Sequence, residues 1–129
     1  MCHTAIVIDE SDVQRHFTER ILKNSSFAEE IMSFDSAFDA IVFLGTIEDQ
    51  SDKLPDVIFL DIHLPFMDGF DFLDAFLELP VDIKEHCKIV TLSSPDVFGD
   101  DARVKEYPII RKFLSKPLSY EMLKEVTAA

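Results

Sequence analysis

Five side chains capable of acid, metal or phosphoryl chemistry stand at or just after the ends of apolar runs in this 129-residue chain. In chain order they are Asp9, Glu10, Asp61, Ser93 and Lys116. Three carboxylates held together cannot all stay ionised cheaply, so such a site favours a bound cation or raised pKa values. Mg2+ suits it, because this ion takes carboxylate oxygens, keeps several waters and bridges to phosphoryl oxygens. If the five side chains meet, an aspartate could accept a phosphoryl group while the lysine and the hydroxyl hold its oxygens.

The runs that carry these residues alternate with helical patterns along the chain. Apolar, β-rich segments predict strands at 4–9, 30–34, 57–60, 88–92 and 109–114. Apolar spacing and capping residues predict helices from Ser11 or Asp12 to Asn24, from Ser36 to a closing Gly45, at 72–77 before Pro80, at 96–105, and from Ser119 through Val126. Strict alternation predicts an α/β fold with a doubly wound parallel sheet. The working residues of such sheets gather beyond the carboxyl ends of the strands.

Composition limits the classes of function. Twelve basic and 25 acidic residues give a formal net charge of −13, which would repel nucleic-acid phosphates and anionic membranes. No apolar run approaches the ~20 residues that cross a bilayer. We therefore expect one domain spanning 1–129, with no direct contact to nucleic acid or membrane. The N-terminus lacks the basic stretch and cleavage site of a secretory signal, and Cys2 and Cys87 read as reduced thiols, so we expect a cytoplasmic location.

Four segments resemble the receiver domain of two-component response regulators, a CheY-like family, and together they extend over nearly the whole chain. They read IVIDE at 6–10, IFLDIHLPFMDG at 58–69, VTLSS at 90–94 and FLSKP at 113–117. The resemblance implies a flavodoxin-like (βα)5 fold with strand order 2-1-3-4-5. It also implies that Asp61 is the phosphoacceptor. Mg2+ would be held by Glu10, Asp61 and the backbone carbonyl of His63, with Asp9 assisting through water.

Further roles follow from the same resemblance. Lys116 would pair with the phosphate, and Pro117 would follow it in a cis peptide bond. Ser93 would be the switch hydroxyl and Phe113 the aromatic switch residue. Two alternatives stay open: Thr91 faces the same way as Ser93, two residues earlier on the strand, and Phe113 could be an ordinary core aromatic.

The implied partners are proteins. A sensor histidine kinase or a phosphotransfer protein would donate the phosphoryl group. A downstream protein target, or a second copy in a homodimer, would dock on the predicted helix at 96–105, the fifth strand and the last helix. The chain ends at Ala129, directly after that helix, so no output domain is visible in the sequence. Whether it acts as a stand-alone receiver stays open at this point.

Two other functions fit the sequence less well. A phosphatase of the aspartyl-phosphate kind needs a second acid two residues after its nucleophile, and His63 occupies that position. A degenerate receiver serving only as a binding scaffold would lack an active-site residue, and none is missing. The sequence departs from the family at Glu10, where Asp is more usual, and at 104–108, which lacks the usual small-residue and glycine turn.

Overall fold

The computed structural model describes residues 2–64, 66–93 and 103–128. Its five parallel strands form one sheet in the order β2-β1-β3-β4-β5, which confirms the predicted topology. The strands are β1 (Cys2–Ile8), β2 (Ala28–Phe34), β3 (Val57–Asp61), β4 (Lys88–Ser93) and β5 (Ile110–Ser115). All five residues of β3, the central strand, are buried, as expected for a parallel strand covered on both faces.

Helices cover both faces of this sheet. Within the described residues they are α1 (Asp12–Asn24), α2 (Ala37–Thr46), α3 (Gly69–Leu77), α4 (Val81–His86) and α5 (Tyr120–Ala128), with a 3-10 turn at Ser51–Lys53. The side chains of Ser11 and Ser36 cap α1 and α2 as the sequence predicts, each accepting a hydrogen bond from the helix backbone. The predicted helix at 96–105 lies mostly outside the described residues. In the part of that range that the structure describes, residues 103 and 104 are helical.

The core consists of two layers, one on each side of the sheet. One layer joins α2 and α3 to the sheet through residues such as Leu44 and Phe72. The other joins α1 and α5 to the opposite face through residues such as Leu22 and Leu123. Both layers contain alternate residues of β1 and β3, because successive side chains of a strand point to opposite faces. The sheet is thereby fixed between two sets of helices, with its carboxyl edge left to the loops.

Two local expectations were wrong. Helix α4 was not foreseen, because its six residues after Pro80 are too few to show a helical period and bury only Ile83. Gly45 was expected to close α2, yet the helix continues to Thr46 and its cap is Ile47. No glycine in the described part of the chain has a positive φ, so Gly45 does not supply the left-handed turn that often ends a helix.

Candidate functional site

Asp9 lies immediately beyond β1 and is only 2% exposed. Its backbone N–H donates to the carbonyl of Phe34 at 3.1 Å, which continues the pairing of β1 with β2 by one residue. Its carboxylate accepts a hydrogen bond from the backbone N–H of Ser11, at 2.9 Å from Oδ1. The start of α1 therefore holds this acid at the carboxyl edge of the sheet, where the sequence predicted it.

Asp61 is the last residue of β3 and is 6% exposed. Its Oδ1 accepts a hydrogen bond from the backbone N–H of His63 at 3.1 Å. The side chain of His63 itself is exposed, in agreement with its interpretation from sequence. The loop after β3 thus turns back to orient one oxygen of the Asp61 carboxylate.

Lys116 joins the two buried acids. Its Nζ lies 2.9 Å from Oδ2 of Asp9 and 3.2 Å from Oδ2 of Asp61. Its backbone N–H donates to the carbonyl of Ser93 at 2.7 Å, which ties the end of β5 to the end of β4. The peptide bond between Lys116 and Pro117 is cis, as predicted. A cation is therefore held between two carboxylates at the point where three strands end.

Burial dominates the electrostatics of Asp61. Removal from water raises the pKa of its carboxyl group, and the negative charge of Asp9 acts in the same direction. The ammonium of Lys116 and the N–H of His63 lower that pKa, but they do not fully offset the burial. Any further positive charge near this carboxylate would stabilise its ionised form.

Glu10 does not join the two buried acids. Its side chain is exposed, and no three or more His, Cys, Asp or Glu residues among those described are grouped so that they could share a metal ion. The three crowded carboxylates expected from sequence are, in the structure, two buried carboxylates bridged by an ammonium. These donors still fit Mg2+, which needs only one or two carboxylates and fills its remaining positions with water and phosphoryl oxygens.

Close packing fixes the loop after Asp61. A Cβ atom on Gly69 would stand 2.7 Å from the Cα of Ile62, so only glycine allows α3 to start this close to the end of β3. The N–H of Gly69 donates to the carbonyl of Ile62 at 2.9 Å. Asp68 and Asp71 form a reciprocal capping box at the start of α3. Asp68 and Gly69 therefore shape the loop after Asp61, as their residue types predict.

The proposed switch residues lie on neighbouring strands. Ser93 ends β4, is 2% exposed and stands opposite Ser115 in β5. Thr91, the rival hydroxyl, is fully buried, stands opposite Phe113, and its Oγ1 donates to the carbonyl of Lys112 over 3.5 Å. The ring of Phe113 is half-buried. Ser93 therefore lies nearer the carboxyl edge than Thr91, beside the end of β5, which Lys116 directly follows.

Three residues of the site were missed by sequence reasoning, and all lie at the start of α1. Gln14 accepts a hydrogen bond from Lys116 Nζ through Oε1, at 2.5 Å. Arg15 donates to the carbonyl of Asp9 at 2.8 Å, and the N–H of Ser11 holds the Asp9 carboxylate. The available signal was their position in the first turn after Asp9, where a helix starts next to the site.

Comparisons of the sequence and of the fold with known proteins lead to the same family. A family model described as the response regulator receiver domain matches residues 5–128. The crystal structure of a two component response regulator from Cytophaga hutchinsonii superposes with a TM-score of 0.88 at 25% identity, covering 98% of this chain and 94% of that one. A response regulator receiver protein from Dyadobacter fermentans gives a TM-score of 0.83 at 28% identity, with the same coverage.

A curated relative is much longer than this chain. A protein-glutamate methylesterase/protein-glutamine glutaminase of Cereibacter sphaeroides is 27% identical over 125 residues, which is 96% of this chain and 31% of that protein. A second curated match is covered to only 28% of its length. Among the helices of the described residues, none is long and apolar enough to span a membrane. The family match over residues 5–128, together with the strand order, identifies this chain as a member of the response regulator receiver domain family.

Proposed function

We propose that Asp61 accepts a phosphoryl group from a phosphohistidine of a sensor histidine kinase or a phosphotransfer protein. The observation that carries this proposal is the position of the Asp61 carboxylate, buried at the end of the central strand with Oδ2 3.2 Å from Lys116 Nζ. A carboxylate paired with a fixed ammonium at a strand end can act as a nucleophile toward phosphorus. The two-component family to which the chain belongs uses its receivers as phosphoacceptors.

In the transfer, a carboxylate oxygen of Asp61 forms a new bond to phosphorus while the phosphorus–nitrogen bond of the phosphohistidine breaks. The bonding electron pair stays on the imidazole nitrogen, which then takes up a proton. The product on this chain is an acyl phosphate. Since the nucleophile must be ionised, Lys116 and the N–H of His63 assist by favouring the charged carboxylate against the effect of burial.

Lys116 has a second role once phosphorus approaches. Its ammonium already lies next to the Asp61 oxygens, so it can hold an oxygen of the incoming phosphoryl group without moving far. Asp9 and Gln14 fix the ammonium in this position through their contacts at 2.9 and 2.5 Å. Positioning of charge before the reaction is what makes such stabilisation effective.

We further propose that the site works with Mg2+, held by Asp61, Glu10 and the backbone carbonyl of His63, with Asp9 acting through water. When bound, the ion supplies positive charge against the phosphoryl oxygens. Glu10 is exposed and has an extra methylene compared with Asp, so its side chain has the reach to turn toward the site. Two buried carboxylates and one carbonyl match the oxygen donors that this ion prefers.

The output of the phosphorylated state is proposed to pass through Ser93 and Phe113. The phosphoryl group would draw the Ser93 hydroxyl inward, and the half-buried ring of Phe113 would follow, because a ligand shifts a two-state equilibrium toward the state that it binds better. The affected surface would be the segment at 96–105, β5 and α5. A downstream protein or a second copy would dock there.

The test is incubation with a small phosphodonor, followed by intact mass measurement. Wild type should gain one phosphoryl group when Mg2+ is present and none in excess chelator. Asp61→Asn should gain none, because its amide is not a nucleophile toward phosphorus. Labelling of Asp61→Asn at the wild-type level would contradict the assignment, and labelling of wild type in chelator would contradict the metal requirement.

The switch has a separate test. Addition of a beryllofluoride phosphate mimic should move amide NMR signals of residues 104–120 in wild type, and much less in Ser93→Ala. Changes confined to the neighbourhood of Asp61 in wild type would contradict the switch while leaving the phosphoacceptor assignment intact.

A further inference from the structure

Helix α2 presents apolar side chains to solvent. Phe38 is 63% exposed and Val42 is 50% exposed, and both lie outside the core. They are four residues apart, so they lie on the same side of the helix one turn from each other. Gly45 follows three residues later on that side and is also exposed. We call Phe38, Val42 and Gly45 the α2 face.

The opposite side of α2 already accounts for the packing of the helix on the sheet. Ala37, Ala40 and Leu44 are buried in the core layer that also holds α3. A surface helix normally has one apolar side and one polar side. An apolar outer side on a helix whose inner side is fully packed is therefore not explained by the fold of this chain.

The fold of this chain does not require a glycine at position 45. Its backbone is not in the left-handed region, the helix continues past it, and a Cβ at this position would meet no atom within 4 Å. Glycine in a helix costs up to ~1 kcal/mol relative to alanine. What glycine does provide is a place where another backbone can approach closely. Gly45 therefore leaves room on the α2 face for the backbone of another molecule, a feature independent of the exposed side chains.

The charged residues of the chain segment that contains α2 all have the same sign. Between Lys23 and Lys53 the chain contains no lysine, arginine or histidine. The charged residues in that interval are all acidic and exposed: Glu29, Glu30, Asp35, Asp39, Glu48, Asp49 and Asp52. A second copy docked on this face would bring like charges together, which is unfavourable. A basic partner would meet complementary charge.

We propose that the α2 face is a docking surface for a basic amphipathic helix of another protein. The apolar residues of that helix would pack on Phe38 and Val42, and its lysines or arginines would lie near acids such as Asp35 and Asp39. Packed helix axes lie ~8–10 Å apart, and a glycine at the contact favours the short end of that range. Charge and shape of the α2 face thus select the same kind of partner.

The probe is a synthetic helical peptide with leucines on one side and lysines on the other, titrated into the whole 15N-labelled chain. We expect shifts in the amides of residues 35–46, which weaken as salt is added because the charge attraction is screened. A matched peptide with glutamate in place of lysine should produce no shifts. Shifts centred elsewhere on the surface, or equal shifts with both peptides, would overturn the proposal.

Variants separate the α2 face from general acidity. Phe38→Ser and Val42→Ser should each weaken binding of the lysine peptide by about tenfold or more, as expected for contact residues at the centre of an interface. Gly45→Leu should weaken it similarly, since its side chain would occupy the space of the partner. A Cβ there meets no atom within 4 Å, so we expect this variant to keep its fold, and its amide spectrum would verify this. Val81→Ser, which removes an apolar side chain 58% exposed in α4, is the matched control and should not change binding.

Two further outcomes would overturn the proposal. One is undiminished binding of the lysine peptide to Phe38→Ser and Gly45→Leu. The other is self-association of wild type in sedimentation that Phe38→Ser abolishes, because the α2 face would then belong to a dimer of this chain.

Discussion

Removal of the cation between the two buried acids is the perturbation with the largest calculable effect. Lys116→Met keeps an unbranched side chain but removes the charge. It leaves the side chains of Asp9 and Asp61, which are 2% and 8% exposed, facing each other without a cation. Removal of one partner from a buried ion pair costs about 3–5 kcal/mol. The carboxylates can partly escape this cost by taking up a proton, so we expect a loss of ~2–4 kcal/mol in unfolding free energy.

The dependence on pH follows from the shift at Asp61. Burial raises the pKa of this carboxyl group in the folded state, so its ionised form lowers stability above that pKa. Lys116 opposes the shift, and its loss raises the pKa further. The difference in stability between wild type and Lys116→Met should therefore be largest near neutral pH. This difference should shrink as pH falls through the pKa of Asp61, because the ammonium of Lys116 does not stabilise a protonated, neutral carboxyl group.

The assay is urea unfolding in excess chelator, followed by circular dichroism, for wild type, Lys116→Met, Asp61→Asn and the double variant. The double-mutant cycle isolates the coupling between residues 61 and 116, which we expect at ~1–3 kcal/mol. Asp61→Asn alone should not lower stability near neutral pH, because it removes a carboxylate whose ionised form is disfavoured by burial. A loss below ~0.5 kcal/mol in Lys116→Met would place this change among ordinary surface substitutions and refute the reasoning.

Three other predictions concern separate parts of the chain. Gly69→Ala should lower the unfolding free energy by ~1–3 kcal/mol in urea titrations, because its Cβ would stand 2.7 Å from Ile62 Cα. The same change at Gly45 in α2 should not lower it, and equal effects of the two changes would contradict the packing argument. Cys87 is buried and its pKa is raised to about 12, so in a Cys2→Ser background a thiol reagent should react slowly with the native chain and fully in urea; rapid native reaction would contradict its burial. Glu10→Gln should weaken Mg2+ binding several-fold in calorimetric titrations, and an unchanged titration would remove Glu10 from the proposed ligand set.

Much of the fold follows from local sequence patterns. Apolar runs specify the strands. The serines before α1 and α2 specify the starts of these helices, because a serine side chain there can accept a hydrogen bond from the helix backbone. The edge of the sheet that collects Asp9, Asp61 and Lys116 follows from strand direction, since parallel strands end on the same side. The strand order itself was obtained from the family resemblance. Helix α4 was missed because six residues show too little periodicity.

The contacts within the site were less predictable than its residues. Gln14 and Lys116 are 102 positions apart, and their hydrogen bond depends on how the start of α1 faces the end of β5. The sequence placed three acids in one region but did not reveal that Glu10 is exposed while the other two are buried. Burial of one side chain at a strand end depends on which neighbouring element covers it. Such details are set by tertiary packing, which short-range patterns do not encode.

The most direct test of the central claim is to locate the phosphoryl group on the chain. After treatment with a phosphodonor and Mg2+, borohydride reduction converts an acyl phosphate into an alcohol, and peptide mass spectrometry identifies the reduced position. We predict a single reduced residue at position 61, with none in a sample treated without phosphodonor. Reduction at Asp9 or Glu10 instead, or phosphate retained on His63, would contradict the assignment of Asp61 as the phosphoacceptor.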